Sequence, residues 1–311
     1  MIRPAGGEDE TTAMAQVTVF GGTGYLGREV VRQLAQAGTR RIRIAVRHPV
    51  PAGAAVGDDR IETVEADVTR PGSVRRALEG SDGAVNAVSL YLPTRTVGFE
   101  DIHVTGARNV ASAAREVGAA LVHVSGVGAD AGSSQRYIRA RGQGEQAVRA
   151  AHAGAVLVRP TVLFSAQGGL VEQVLRVLRR TRVFPLFGRG ETRLQPVHRS
   201  DVARAIVELL GRNDVDECEC GGPEVKPYRA FVEQIAAAAG IALHPLPVPF
   251  PAWHAVALLT ERLPGAPLTR DQVALMRADK IAADGLTTLG IAPRSLDTAL
   301  RGLSGTSPAR G

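Results

Sequence analysis

A chain of 311 residues, 44% hydrophobic and 22% charged, can build one large α/β domain with a smaller lobe and is too apolar for global disorder. It carries no apolar run long enough to span a membrane, and residues 1–13, with three adjacent acids, resemble neither a signal nor a transit peptide. The net charge of +6 is spread over arginines, with Lys226 and Lys280 the only lysines; at 4% aromatics and with no recognisable module, nucleic-acid binding is not expected.

Residues 1–14 read as a disordered extension, with Met14 an alternative start. The first ordered element is then a strand near 17–20, Val17-Thr18-Val19-Phe20. It runs into Gly21-Gly22-Thr23-Gly24-Tyr25-Leu26-Gly27, and an amphipathic helix near 25–37 follows, with Leu26, Val30, Val31 and Leu34 on one face. This order suits a dinucleotide. Gly21 permits the tight turn, Gly24 lets backbone approach a pyrophosphate, and Gly27 allows close helix packing. The free N–H groups and positive dipole of the helix start face the phosphates. All seven residues from Gly21 to Gly27 are therefore candidate cofactor contacts.

Further strands are predicted near 42–46, 61–65, 84–88, 120–125 and 155–158, and helices near 72–79, 100–117, 134–150 and 169–180. The alternation predicts a Rossmann-type, doubly wound parallel sheet with the cofactor across the carboxyl ends of the first and fourth strands. Arg47 ends the second strand, 20 residues past Gly27, where an NAD-binding chain places an acid on the ribose 2′-hydroxyl. A guanidinium there pairs instead with a 2′-phosphate, so NADP(H) is favoured over NAD(H). His48 either assists Arg47 or is a plain loop residue. Asp67, followed by Val68, either accepts from an adenine amino group or caps the helix near Pro71. Ala87 and Val88 leave the fourth strand over the cofactor, offering backbone contacts.

Ser125 ends the fifth strand, Tyr137 lies 12 residues later on the next helix, and Arg141 stands one turn beyond it. Here the chain resembles the short-chain dehydrogenase/reductase superfamily in its extended or atypical branch, related to the NAD-dependent epimerases and dehydratases. That family uses a serine, a tyrosine as general acid or base, and a lysine four residues later that activates the tyrosine and holds the nicotinamide ribose. By position Ser125 and Tyr137 match, while Arg141 stands where the lysine belongs. No lysine precedes residue 226, so the nucleotide half has no substitute. A guanidinium can hydrogen-bond a ribose but is a poor proton relay.

Beyond Pro160, itself a candidate cofactor contact, the pattern loosens into a smaller C-terminal α+β lobe. Residues 15–165 are taken as the nucleotide-binding domain, 166–301 as a lobe interleaved with it, and 302–311 as a disordered tail. A strand pair is expected over 183–199 around Gly188 and Gly190. Asp201 is expected to cap a helix to Leu210, and Pro227 to open one ending at Gly240. The apolar stretch from Phe250 to Leu263 is expected to be a core helix of the lobe, or else a surface that docks on a partner or membrane. Cys218 and Cys220 read as strand residues sharing one face; a lone C-x-C has too few ligands for a metal, and a reducing, cytoplasmic setting fits. Arg193 and His198 are candidates to line the cleft between lobes.

The segments Arg193-Leu194-Gln195-Pro196-Val197 and Gly221-Gly222-Pro223-Glu224 look like the branch that holds the nucleotide-binding accessory subunit of respiratory complex I and its bacterial relatives. That resemblance covers about residues 16–300. It implies NADPH held in a structural, assembly or regulatory role, with a respiratory or membrane-associated protein partner. The alternatives are an NADP-dependent oxidoreductase on a hydrophobic carbonyl, quinone or isoprenoid-like molecule, and a nucleotide-sugar epimerase or dehydratase.

Overall fold

A computed structural model describes residues 14–48, 58–260 and 268–301. The expected extension over 1–13 and the tail over 302–311 lie outside these residues. The first half runs β1 (Gln16–Phe20), α1 (Gly27–Gln36), β2 (Arg41–Val46), β3 (Ile61–Glu65), α2 (Pro71–Leu78), β4 (Gly83–Asn86), a π-helical turn (Asp101–Gly106) continuing into α3 (Ala107–Val117), β5 (Ala120–Val124), α4 (Arg136–Ala151) and β6 (Val156–Pro160). The second half runs β7 (Leu163–Phe164), α5 (Gly169–Thr181), β8 (Val183–Phe187), β9 (Arg193–Leu194), β10 (Val197–His198), α6 (Arg199–Leu209), β11 (Glu217–Cys220), β12 (Lys226–Pro227), α7 (Tyr228–Ala238), β13 (His244–Val248), α8 (Phe250–Thr260), α9 (Arg270–Leu275), α10 (Gly285–Thr288) and α11 (Leu296–Leu300).

Seven parallel strands form the central sheet in the order β11-β6-β5-β4-β1-β2-β3. The chain winds outward both ways from β1, so the switch point lies between β1 and β4, where a ligand crevice opens at the carboxyl ends. Alternate strand residues serve opposite faces. Val17, Val19, Val122 and Val158 join Val30, Leu34, Val202 and Ile206 of α1 and α6 in one core. Phe20, Ala84, Leu121 and Leu157 join Val74, Leu78, Val110 and Ala114 of α2 and α3 in the other. Burial on both faces explains the near-continuous apolar strands.

A third core, around Phe164, Leu175, Leu178, Leu186, Phe231 and Ile235, belongs to the second half. That half also feeds the central domain: α6 packs into the first core, and Cys218 and Cys220 of β11 extend the sheet. The two cysteines point to one buried side, as expected, with sulfurs 3.8 Å apart.

Three expectations need correction. The 183–199 stretch forms no hairpin: β8 pairs in parallel with β13, β9 antiparallel with β12, and β10 in parallel with β7. Asp201 does not cap α6. His198 holds that position, its Nδ1 accepting from the Ser200 amide, while the buried Asp201 carboxylate accepts from the Arg294 amide at 2.7 Å. Nor is α8 a core helix: only Ala257 is buried, while Val256, Leu258 and Leu259 are exposed. Trp253 ties it to the lobe by donating to the Leu186 carbonyl at 3.0 Å. Residues 261–263 of that expected helix lie outside the described residues.

Candidate dinucleotide cleft

The turn after β1 is shaped by backbone proximity. Gly21 adopts φ +79°, and a Cβ there would sit 2.9 Å from the Ala87 carbonyl carbon and oxygen. Gly21 thus lies against the backbone leaving β4, which brings Ala87 and Val88 beside the turn. The Gly24 amide donates to the Gly21 carbonyl at 2.9 Å. A Cβ on Gly27 would lie 2.1 Å from that same oxygen, so the start of α1 is pressed onto the turn. At Gly24 a Cβ would meet only the Gly21 oxygen, at 3.1 Å, and both Gly24 and Thr23 are exposed. Leu26, the N-cap, offers no side-chain acceptor to the first amides of α1. Uncapped amides beside an open glycine rim are what a pyrophosphate needs, so these residues fit a dinucleotide.

The side chain of Tyr25 faces the second half of the chain. Its hydroxyl shares a 2.8 Å hydrogen bond with Ser165, and the Arg199 guanidinium lies 4.8 Å over its ring. Its backbone remains at the helix start.

Arg47 stands exposed one residue past β2. Asp67 Oδ1 accepts from the Thr69 amide at 2.9 Å and its hydroxyl at 2.7 Å, bracing the turn into α2. Burial opposes ionisation of Asp67, but the Thr69 donors and the charges of Arg70 and Arg47 hold its carboxyl below the usual range. The N-cap of α2 is Arg70, so Asp67 shapes the entry from outside the cap position. Val68 is buried, and its carbonyl accepts from Asn109 at 2.8 Å.

Ser125, Tyr137 and Arg141 lie where β5 and α4 meet. The helical spacing of four places Arg141 beneath Tyr137. Arg141 Nε and Nη2 donate to the Tyr137 hydroxyl at 3.1 and 2.9 Å, Nη2 donates to Ser89 Oγ at 2.9 Å, and Nη1 to the Val124 carbonyl at 3.1 Å. Arg141 is buried at 7% exposure, and despite that burial its guanidinium is held in its charged form by Tyr137, by Tyr91 and by Glu145. Ser125 Oγ is fully buried and has no partner among the described residues. Its amide donates to the Val158 carbonyl at 2.7 Å.

Residues outside the sequence motifs complete this wall. Tyr91 stacks on Tyr137 with centroids 5.7 Å apart, and Phe99 and His103 meet it edge-on, each at 5.5 Å. A Cβ on Gly144 would lie 2.0 Å from the His103 carbonyl, so that glycine lets α4 come close enough for His103 to reach the tyrosine. Burial, then the charge of Arg141, pushes His103 down to about 4 and His123 down to about 3, leaving both neutral at pH 7. The sequence carried no signal for Tyr91, Phe99 or His103 beyond their position after β4.

Pro160 is buried at the carboxyl end of β6, and its carbonyl accepts from the Val127 amide at 3.1 Å. Arg193 is exposed; its amide and Nε both bond Asp279 at 2.8 Å. His198, besides capping α6, packs edge-on to Phe164 at 5.4 Å. Both side chains are thus engaged in structural contacts.

A sequence family described as NAD(P)H-binding matches residues 21–213. The ceramide reductase of Caulobacter vibrioides is 32% identical over 197 residues, covering 63% of this chain and 61% of that protein. The mitochondrial NADH dehydrogenase (ubiquinone) 1 alpha subcomplex subunit 9 of Mus musculus is 30% identical over 295 residues, 90% of this chain and 77% of that protein. The Arabidopsis thaliana subunit is 31% identical over 220 residues, and only 54% of its length is spanned. Among solved structures, the NADP(H) complex of Citrobacter sp. triphenylmethane reductase superposes with a TM-score of 0.73 at 17% identity, covering 93% of this chain and 99% of that one, a likeness of fold.

Proposed function

The chain belongs to the NAD(P)H-binding family, and from that premise we propose that it holds NADP(H) as a retained cofactor, in a structural, assembly or regulatory role. The observation that carries this reading is the grip of Arg141 on Tyr137. The side chain at the position of the family's lysine donates to the tyrosine, to Ser89 and to a backbone carbonyl, and so has little left for a ribose. The amides of Gly22, Thr23 and Tyr25 to Gly27 would hold the pyrophosphate beside the open Gly24, Arg47 the 2′-phosphate, Asp67 and Val68 the adenine, and Ala87, Val88 and Pro160 the nicotinamide side. When bound, the dinucleotide supplies a hydride donor. The match to a respiratory-complex subunit over most of both chains supports a protein partner at a membrane-associated assembly. Among the described residues no helix is long and apolar enough to cross a membrane.

A second reading, an NADP-dependent reductase of a hydrophobic carbonyl or quinone-like molecule, is favoured by one observation. Among the described residues Ser125 Oγ, buried beside Tyr137's helix, has no partner, as a hydroxyl waiting for a carbonyl oxygen would have none. Arg141 donates to the Tyr137 oxygen from both Nε and Nη2, so the phenol meets the guanidinium as an acceptor and does not spend its own proton on it. The ceramide reductase relative agrees with this alternative.

Mass spectrometry of the nucleotide that co-purifies, followed by its absorbance at 340 nm with quinone and carbonyl panels, separates the two. Retained NADPH that is never consumed is expected. Steady consumption abolished by Tyr137→Phe would overturn the first reading in favour of the second.

A further inference from the structure

The nucleotide half contains no lysine, yet the fold brings one to its cleft. The segment after α9 is stitched to β9: the Lys280 amide donates to the Arg193 carbonyl at 2.8 Å, and its own carbonyl accepts from the Gln195 amide at 3.0 Å. Gln195 is in turn anchored at the end of β6, where its carbonyl accepts from Thr161 Oγ1 at 2.5 Å. From there the Lys280 side chain reaches the loop that follows Ser125, its Nζ 4.0 Å from the position of a Cβ on Gly128. The ammonium therefore stands at the carboxyl edge of β5, the end of an open α/β sheet at which ligands bind.

Two further observations make this a binding position. Among the described residues Lys280 Nζ has no hydrogen bond or ion pair, although it is half-buried, and burial lowers its proton affinity against the pull of Asp279. Lys226, by contrast, is bonded to Gln234 and Glu224, each at 2.6 Å. Five residues before Lys280, Leu275 packs with Leu90 onto the Phe99–Tyr137 cluster, and Tyr91 lies on Tyr137 with 60% of its surface exposed. An apolar wall and a half-buried cation with no hydrogen bond among the described residues thus share one segment and one end of the sheet. Its nearest carboxylate, Asp279, is already held by Arg193, so the half-buried ammonium keeps no hydrogen-bonded acceptor of its own among the described residues, and a ligand anion would supply one.

We propose that Lys280 is the cation of a binding site for an organic anion with an apolar body, the head group on Nζ and the body over Tyr91, Leu90 and Leu275. The site adjoins the dinucleotide cleft and operates whether or not hydride is transferred.

The test uses the full chain and its two lysines. The protein is treated with pyridoxal 5′-phosphate and borohydride, and modified peptides are quantified by mass spectrometry with Lys226 as internal reference. Lys280 is expected to be modified at least about fivefold faster, as a desolvated amine is, and with saturation in reagent. 4-Phenylbutyrate should slow its modification, while neither inorganic phosphate nor 4-phenylbutanol does so at equal concentration. Tyr91→Ala should remove that protection and leave Lys226 unchanged. Equal, non-saturating modification of both lysines, or protection by phosphate as good as by phenylbutyrate, would overturn the proposal. NADPH binding measured by dialysis on the same preparation keeps the readings apart: its loss counts against the retained cofactor alone.

Discussion

Arg141 and Tyr137, four residues apart on α4, are joined by two hydrogen bonds from one guanidinium to one phenolic oxygen, at 3.1 and 2.9 Å. The pair is buried, and Arg141 also satisfies Ser89 and the Val124 carbonyl. Arg141→Met strips all of these groups of their donor and should destabilise the fold by about 1–3 kcal/mol, read as a fall in denaturation midpoint. Arg141→Lys keeps a charge but not the fork, and frees an ammonium for the ribose. It should bring NADPH consumption to at least about tenfold above the background loss seen with the parent chain, the scale of one added donor at a reacting centre. Unchanged consumption would mean that Arg141 does not restrain the site.

The glycines of the turn should separate by role. At Gly27 a Cβ meets backbone at 2.1 Å, which cannot yield, so Gly27→Ala should cost about 1–3 kcal/mol or more of stability. At Gly24 the only obstacle is the Gly21 oxygen at 3.1 Å, so Gly24→Ala should fold nearly normally. It should nevertheless weaken dinucleotide binding, because the new methyl occupies the phosphate's approach. Thermal denaturation and fluorescence titration with NADPH distinguish the two.

Arg47 sets the expected preference for the phosphorylated cofactor. Arg47→Ala should raise the Kd for NADPH at least about tenfold, about 1.4 kcal/mol, and leave NADH nearly unchanged. Equal losses for both cofactors would place Arg47 away from the 2′-phosphate.

Acid should unfold the protein in stages that trace to named groups. The histidines have folded values of about 4 for His103 and about 3 for His123, below their ordinary 6.5. The unfolded chain therefore binds more protons, so their contribution is full above pH 6.5 and lost as pH falls toward those values. Glu29 follows at lower pH. Burial opposes its ionisation, but Arg32 and Ser200 outweigh it and bring its carboxyl to about 2 from the usual 4.5. Its stabilisation is present above pH 4.5 and lost as pH falls toward 2. Glu29→Gln should flatten the lower part of the acid denaturation profile, and His123→Asn the upper part.

The first half was legible because each element carries its own signal. Valine-rich strands, helices of period 3.6 and glycine turns placed β1 to β6 within a few residues of where they fold. The Arg141–Tyr137 contact was implicit in a spacing of four on a helix. The second half resisted because strands such as β9 and β10 are two residues long and their partners lie far along the chain. Asp201 read as a cap because acids cap helices, yet its burial beside Arg294 is a tertiary contact that no local pattern encodes. For the same reason no spacing rule finds Lys280 opposite Gly128, because only the folding of β9 against the segment after α9 brings them together.

The hydroxyl pair of Tyr25 and Ser165 spans 140 residues of chain. Tyr25 lies between Gly24 and the first residue pairs of α1, while Ser165 leads into the third core. The glycine turn is therefore tethered at its centre to the opposite half, with Arg199 closing over the ring. A nucleotide held at this turn would bear on the far half through this phenol as well as through the packing of α1 on α6, and a contact on the far half would in turn bear on how readily the turn releases it.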